Sequence, residues 1–254
     1  MSTEASVADE SWFKDEALGR IFELLNDEGE EVRVVGGAVR NSLMGLPVSD
    51  IDLATTWAPE QVVARAETAG IRAVPTGIDH GTVTLVIDGR GFEITTLRHD
   101  AETDGRRAKV VFGNDWQIDA ERRDFTINAL YADQAGNVID LVGGLEDIAS
   151  RTVRFIGDAD ARIAEDYLRV LRYFRFFAHY GTGRPDAAAL KACARARDQL
   201  GKLSSERVWK ELKTLLKARD PGRALLWMRQ SGVLSAVLPE SEKWGIDTIG
   251  ALIG

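Results

Sequence analysis

An α+β head followed by an all-helical part is the fold class this sequence predicts, on three observations. Short alternating apolar runs, bounded by Gly, Asp and Asn, recur between Val32 and Val142 with helical patterns between them. From about Ile148 the strand signals stop, and helical periodicity dominates to the C-terminus. No run of about 18 apolar residues occurs, which removes a membrane-spanning helix from the alternatives. The change of pattern sets a boundary near residues 143–150.

In chain order, residues 12–29 read as an amphipathic helix, with Trp12, Phe13, Leu18, Ile21, Phe22 and Leu25 at helical spacing and Gly29 as its stop. Residues 31–37, EVRVVGG, form a short strand that runs into a glycine pair, and AVRNSLMG continues as helix. VSDIDLAT alternates and reads as a strand. PEQVVARAETAG is a helix closed by Gly70. TVTLVIDGRGFEITTLR is two strands around Asp88-Gly89-Arg90-Gly91, a hairpin signal. Residues 99–121 are polar without a clear period and read as a mobile loop. RDFTINALYA reads as the start of a helix with Asp124 as N-cap, and NVIDLVGG as another strand.

Composition narrows the function classes. The acidic N-terminus lacks the apolar stretch of a signal peptide. The single cysteine, Cys193, excludes an internal disulfide and fits a reducing compartment such as the cytoplasm. One cysteine and three histidines leave too few ligands for a closed zinc site. A net charge of −8 opposes RNA binding by the chain as a whole. The segment from Lys191 to Arg219 carries nine Lys or Arg against three acids; it is either a solvated face or a nucleic-acid contact.

Three constellations carry chemistry. In VVGGAVRNSLMGLPVSDIDLAT, a strand delivers the chain to Gly36 and Gly37 at a helix start, where backbone N–H groups favour a phosphate. Arg40, one turn on, can add a guanidinium to the same phosphates. Asp50 and Asp52, two apart on a strand, would share one face and can hold a pair of magnesium ions. Singly, a Gly-Gly is usually a turn and an Asp-x-Asp a solvated strand end; their order and short separation favour the joint reading. Glu93, in FEITTLR, is either a third carboxylate or a plain exposed strand residue. In ERRDFTINAL, Arg122 and Arg123 either grip a triphosphate or lie solvated beside a capping Asp124. In EDYLRVLRYFRFF, Val170, Leu171, Phe174 and Phe177 share one arc of a helix, with Arg169, Arg172 and Arg175 opposite. That second face is either solvated, or presents Asp166 and Arg169 to a base edge and the remaining arginines to phosphates.

These segments, in this order, resemble the class II tRNA nucleotidyltransferase and bacterial poly(A) polymerase family. The family pattern of Gly-Gly-x-Val-Arg-Asp, Asp-x-Asp, Arg-Arg-Asp-Phe-Thr-x-Asn-Ala and Glu-Asp-x-x-Arg-x-x-Arg appears here in four places. They are Gly36 through Asn41, Asp50 to Asp52, Arg122 through Ala129, and Glu165 through Arg172. The resemblance runs from about Val32 to Phe177 and more weakly through LSSERVWKELKTLL. It implies a nucleotidyltransferase head over residues 1–147, a helical neck that selects the nucleotide over 148–200, and the start of a helical body over 201–254. It implies that Gly37, Arg40 and Arg123 contact the triphosphate, that Asp50 and Asp52 ligate Mg2+, and that Asp166 and Arg169 pair with the incoming base. Arg172 and Arg175 would assist through nucleotide or phosphate contacts. The implied reaction adds CMP and AMP, from CTP and ATP, to the tRNA 3′ end without a template.

The chain departs from the pattern in two places. Asn41 stands where the family usually has Asp, so an ion pair from that position is lost or replaced. Tyr167 replaces a frequent Pro, which should favour continuity of the helix. The chain is also shorter than members of the family, and the resemblance implies that it ends inside the body domain. Retention of the polar loop before Arg122 argues for addition of the whole CCA end rather than CC alone. A poly(A) polymerase of the same family would carry a basic signature that GIDHGTVTLVIDGRGFEI lacks. A non-catalytic RNA-binding remnant is opposed by the intact Asp50 and Asp52. A phosphohydrolase built on His99-Asp100 lacks further ligands, and transfer to a small molecule is disfavoured by the arginine-rich neck.

Overall fold

The computed structural model describes residues 5–100 and 110–242, and the chain divides into two compact units. The first takes in the chain through Arg123 together with Ile127–Leu145; the second holds Asp124–Thr126 and the chain from Glu146 onward.

In the first unit, α1 (Glu16–Leu25) begins at Asp15, whose carboxylate accepts from the backbone N–H of Ala17 at 2.9 Å. Such a cap is worth about 1 kcal/mol. It also starts the helix later than the apolar spacing predicts. Trp12 and Phe13 sit in a turn before it, where the Trp12 indole N–H donates to Ser42 Oγ at 2.8 Å. Leu18, Ile21 and Leu25 form the buried stripe of α1, each worth roughly 1.5–3 kcal/mol.

β1 (Val32–Val35) leads into α2 (Gly37–Leu43), then β2 (Asp52–Thr55), α3 (Pro59–Thr68), β3 (Arg72–Gly77), β4 (Thr82–Ile87) and β5 (Arg90–Thr96). The hairpin between β4 and β5 forms as predicted. Ile87 pairs with Arg90, and both turn residues, Asp88 and Gly89, have positive φ (52° and 78°), the two-residue turn that matches strand twist. β6 (Arg98–Asp100) and β7 (Val110–Phe112) pair as a separate ribbon, followed by α4 (Trp116–Glu121). The stretch predicted as a loop over 99–121 is therefore partly strand and helix. Its residues 101–109 lie outside the described residues, as do the side chains of His99 and Asp100.

β8 (Leu130–Ala132) and β9 (Val138–Asp140) complete a seven-stranded mixed sheet of order β3-β4-β5-β2-β1-β8-β9. Among the described strands only β2 and β5 pair in parallel, with Asp52 opposite Glu93 in register. Val34, Leu53, Leu85, Ile94 and Tyr131 are fully buried in this unit.

The helix predicted to begin at Asp124 does not form. The backbone of 124–126 is committed elsewhere: Thr126 N–H donates to Arg154 C=O, Ile156 N–H donates to Asp124 C=O, and Phe125 bridges Phe155. One 3-10 turn over Thr126–Asn128 then leads directly into β8.

The second unit contains, after α5 (Gly144–Ala149), the helices α6 (Ala159–Glu165), α7 (Leu168–Tyr180), α8 (Ala187–Ala196), α9 (Ser205–Leu215), α10 (Gly222–Gln230) and α11 (Val233–Val237). Helix continuity through Tyr167 is not observed. Asp166 is extended (φ −155°, ψ 107°), and its carboxylate accepts from Leu168 N–H at 3.0 Å, opening a new helix. An Asp side chain that satisfies a free helical N–H favours a helix start over a helix interior.

The predicted arc of α7 is buried, and Tyr173 and Phe176 extend it. They join Phe125 and Phe155 in an aromatic cluster: Phe125 lies 4.9 Å from both Phe155 and Phe176, and Phe155 stacks on Tyr173 at 5.5 Å. Each such pair adds about 0.5–1.5 kcal/mol beyond burial. Among the described residues no helix is long and apolar enough to cross a membrane.

Candidate nucleotide and metal site

In the first unit, β1 ends at Gly36, which has φ 72°; a side chain there would bring its Cβ to 3.3 Å from the Asn128 carbonyl oxygen. Both facts restrict the position to glycine. α2 starts at the next residue, Gly37, and Arg40 lies one turn on. Arg40 is buried. Its Nε and Nη2 donate to Asn41 Oδ1 at 3.1 and 2.8 Å, and it also hydrogen-bonds Asn128. Asn41 in turn donates to the Pro47 carbonyl at 2.7 Å. The amide oxygen of Asn41 thus supplies a neutral acceptor for Arg40 where a carboxylate was expected. Arg40 arrives at the glycine turn already oriented, 3.8 Å from where a Cβ on Gly37 would lie.

Asp50 and Asp52 do not share a strand as expected. β2 begins at Asp52, and Asp50 precedes it in an irregular segment with Ser49 Oγ donating to its carboxylate at 2.8 Å. The two acids nevertheless line one cleft, together with Glu93, which the parallel β2–β5 register brings opposite Asp52. Asp52 carries the electrostatic signature of the site. Burial pushes its carboxyl above the ordinary range, the Glu93 and Asp50 charges push it further, and Arg123 pulls it back. A divalent cation relieves that penalty. Among the described residues no three acidic, His or Cys side chains converge as a preformed metal cage. Asp50, Asp52 and Glu93 are the cleft groups that could hold a divalent cation such as Mg2+, an ion commonly held by one or two carboxylates plus substrate phosphates.

Arg122 and Arg123 both turn toward Asp119, whose side chain is 0% exposed. Arg122 donates to Oδ1 through Nε (2.8 Å) and Nη2 (2.5 Å), and Arg123 to Oδ2 through Nε (3.2 Å) and Nη2 (2.9 Å). Tyr131 Oη donates to Oδ2 at 2.8 Å. Burial raises the Asp119 carboxyl, but the charges of Arg123 and Arg122 and the Tyr131 hydrogen bond outweigh it and hold it below the ordinary range. The sequence reading passed over Asp119. The available signal was an acid three and four residues before an Arg-Arg pair, the spacing of neighbours on one helical face.

In the second unit, the three arginines of α7 each meet a carboxylate. Arg169 pairs with Glu165 and donates to the Arg162 carbonyl at 2.8 Å. Arg172 donates through Nε (2.8 Å) and Nη2 (2.5 Å) to Asp124 Oδ2. Arg175 Nε donates to Glu211 at 2.6 Å. The face allowed by the sequence as merely solvated is ion-paired instead: all three partners, Glu165, Asp124 and Glu211, come from outside α7. Asp166 caps α7 with Oδ1 and accepts Arg207 on Oδ2 at 2.7 Å, so α7 and α9 are joined by two ion pairs. Within the basic segment 191–219, Arg195 pairs with Asp160, while Trp209 is 60% exposed.

The Poly A polymerase head domain matches residues 32–154, and the probable RNA and SrmB-binding site of polymerase A matches residues 184–244. The mitochondrial CCA tRNA nucleotidyltransferase 1 of Homo sapiens is 47% identical over 204 residues, 79% of this chain and 47% of that protein. The CCA-adding enzyme of Geobacillus stearothermophilus is 38% identical over 227 residues, 88% of this chain and 54% of that protein. Among solved structures, the Bacillus stearothermophilus CCA-adding enzyme in complex with CTP superposes with a TM-score of 0.78 at 34% identity, covering 86% of this chain and 52% of that one. A tRNA nucleotidyltransferase complexed with a primer tRNA and an incoming ATP analog gives 0.71 at 25% identity, covering 92% and 66%. The chain thus spans about half the length of the curated relatives it matches.

Proposed function

We propose, for a chain that belongs to the class II CCA-adding enzyme and bacterial poly(A) polymerase family, template-independent transfer of CMP and AMP from CTP and ATP to a tRNA 3′ end. The observation that carries the proposal is the cleft where Asp50, Asp52 and Glu93 gather and Asp52 is held above its ordinary protonation range by burial and two neighbouring acids. A cation among carboxylates crowded in this way would favour the charged form of Asp52.

In this reading Asp50 and Asp52 hold Mg2+, with Glu93 as a third carboxylate. Bound there, the ion would supply activation of the attacking hydroxyl and neutralisation of the leaving pyrophosphate. The 3′ oxygen forms a bond to the α-phosphorus as the bond from that phosphorus to the bridging oxygen of pyrophosphate breaks. The protein's contribution is position and charge, with no covalent enzyme intermediate. Gly37, Arg40 and Arg123 hold the triphosphate. Residues 1–147 act as the head, 148–200 as the neck and 201–254 as the start of the body.

In the neck, Asp166 and Arg169 present an acceptor beside a forked donor to the incoming base. Asp166 must then exchange its Arg207 contact for the base, and Arg169 its Glu165 contact. Arg172 and Arg175 enter as the residues that fix α7, because each is engaged by a carboxylate. The cytoplasm is the proposed compartment, supported by a lone cysteine that is buried and unpaired.

The test is incubation of the full chain with tRNA lacking its CCA end, with CTP and ATP separately and together, followed by product sizing. Two added residues with CTP and three with both nucleotides support the reading. A long adenylate tail makes the protein a poly(A) polymerase, and no extension with either nucleotide overturns the transferase assignment.

A further inference from the structure

Two arginines share one buried carboxylate in this protein, and that charge balance is uneven. Folding alone would be served by one guanidinium against Asp119. The second leaves a net positive charge beside the acidic cleft, and neither Arg122 nor Arg123 engages a partner through Nη1 among the described residues. The side chains of Arg122 and Arg123 stay about one-fifth exposed while that of Asp119 is fully enclosed. The arrangement therefore fixes the Nε–Nη2 edges of the two forks and leaves each Nη1 without a hydrogen-bond partner among the described residues. Tyr131 completes the support: its hydroxyl donates to Asp119 Oδ2, accepts from Arg123 Nε at 3.2 Å, and its ring packs edge-on against Trp116 at 5.3 Å. The Arg123 charge reaches Asp52, so its guanidinium belongs to the same electrostatic neighbourhood as the metal-holding acids.

We infer that Asp119 is a positioning residue for the triphosphate: buried against Tyr131, it holds Arg122 and Arg123 side by side so that their free Nη1 groups meet adjacent phosphate oxygens. The inference rests on the nucleotidyltransferase reading and adds to it Arg122 as a second phosphate ligand and Asp119 as the residue that aims both. A guanidinium held by one edge loses little further freedom when its other edge binds phosphate.

The sign of the expected effect separates this role from a simpler one. If Asp119 acted only through its charge, removing the charge would make the site more positive and tighten binding of an anion. If it aims the arginines, removing it weakens binding. The measurement is calorimetric titration of the full chain with CTP in the presence of Mg2+, and with inorganic triphosphate as a probe free of the base. Asp119→Asn is expected to raise the Kd for both by about tenfold, the scale of one lost charge-assisted contact. Affinity for tRNA should not change.

In a chain that already carries Arg122→Lys and Arg123→Lys, adding Asp119→Asn should weaken binding no further, because Asp119 acts through those two guanidinium groups; a further loss as large as in the wild-type background would overturn the inference. An equal or lower Kd in Asp119→Asn would overturn it too. Where Asp119→Asn fails to fold, Tyr131→Phe decides: a two- to threefold rise in Kd supports the inference and an unchanged Kd refutes it. If wild-type protein binds CTP but extends no tRNA, the transferase reading falls, while the binding comparison still decides the role of Asp119.

Discussion

Replacing Arg172 with Gln should destabilise the second unit before it disturbs nucleotide binding. Arg172 donates twice to Asp124 Oδ2, and the Asp124 side chain is only 9% exposed, so the substitution takes both guanidinium hydrogen bonds from a largely buried carboxylate. Breaking a fully buried pair from one side costs about 3–5 kcal/mol. The Arg172 side chain is 33% exposed, so the pair is not fully desolvated and the cost falls to about 2 kcal/mol. At about 2–4 °C per kcal/mol for a protein of this size, the melting temperature should drop by about 4–8 °C. Asp124→Asn should give a drop of similar size, and the double variant should lose less than the sum, because both singles break the same pair. Melts followed by far-UV circular dichroism at neutral pH, without nucleotide, are the assay. A melting temperature within about 1 °C of wild type, with CTP affinity alone reduced, would show that Arg172 faces nucleotide and that its partnership with Asp124 carries no weight.

Three further outcomes follow from the same geometry. Arg169→Ala should relax the choice among nucleotides more than it weakens triphosphate binding; an unchanged preference for CTP and ATP over UTP and GTP would reject the base-pairing role. Cys193 is buried and its thiol is pushed up by that burial, so a thiol reagent at pH 8 should leave it unmodified in the native protein and label it on unfolding; native labelling would show the α8 face to be open. Asp119 is held below its ordinary value of 3.8, so the unfolded chain takes up its proton first as pH falls. Its contribution is full above about pH 5 and is lost below it, so wild-type stability should decline more steeply between about pH 5 and 3 than that of Asp119→Asn. Parallel declines in denaturant titrations would refute the linkage.

The parts of the fold that were legible in the sequence are those set by neighbours along the chain. The Asp88-Gly89 turn needs two positive φ values and announces them by residue type. The Gly36-Gly37 turn into α2 and the apolar arc of α7 are likewise local. Elements decided by distant partners were misread. The backbone of 124–126 had the composition of a helix start, but Arg154 and Ile156 take its hydrogen bonds. The sequence shows Arg172 without a local acid, and its partner lies 48 residues away. Glu93 could be offered only as one of two alternatives until a parallel pairing set it opposite Asp52. The break at Asp166 was missed for a different reason: Tyr167 removed the proline that usually marks it, while the capping side chain that makes the break was already in the motif. Asp119 was overlooked because a carboxylate is visible in a sequence, but its burial is not.

The most direct measurement is single-nucleotide extension by Asp52→Ala. Labelled CTP, Mg2+ and tRNA without its CCA end are mixed with the variant, and tRNA affinity is measured on the same preparation. The expected result is no detectable CMP incorporation with tRNA binding retained, because the carboxylate that faces Glu93 and Asp50 in the cleft is gone while every other side chain is unchanged. Incorporation at the wild-type rate would contradict the assignment of that cleft as the place where the nucleotide is transferred.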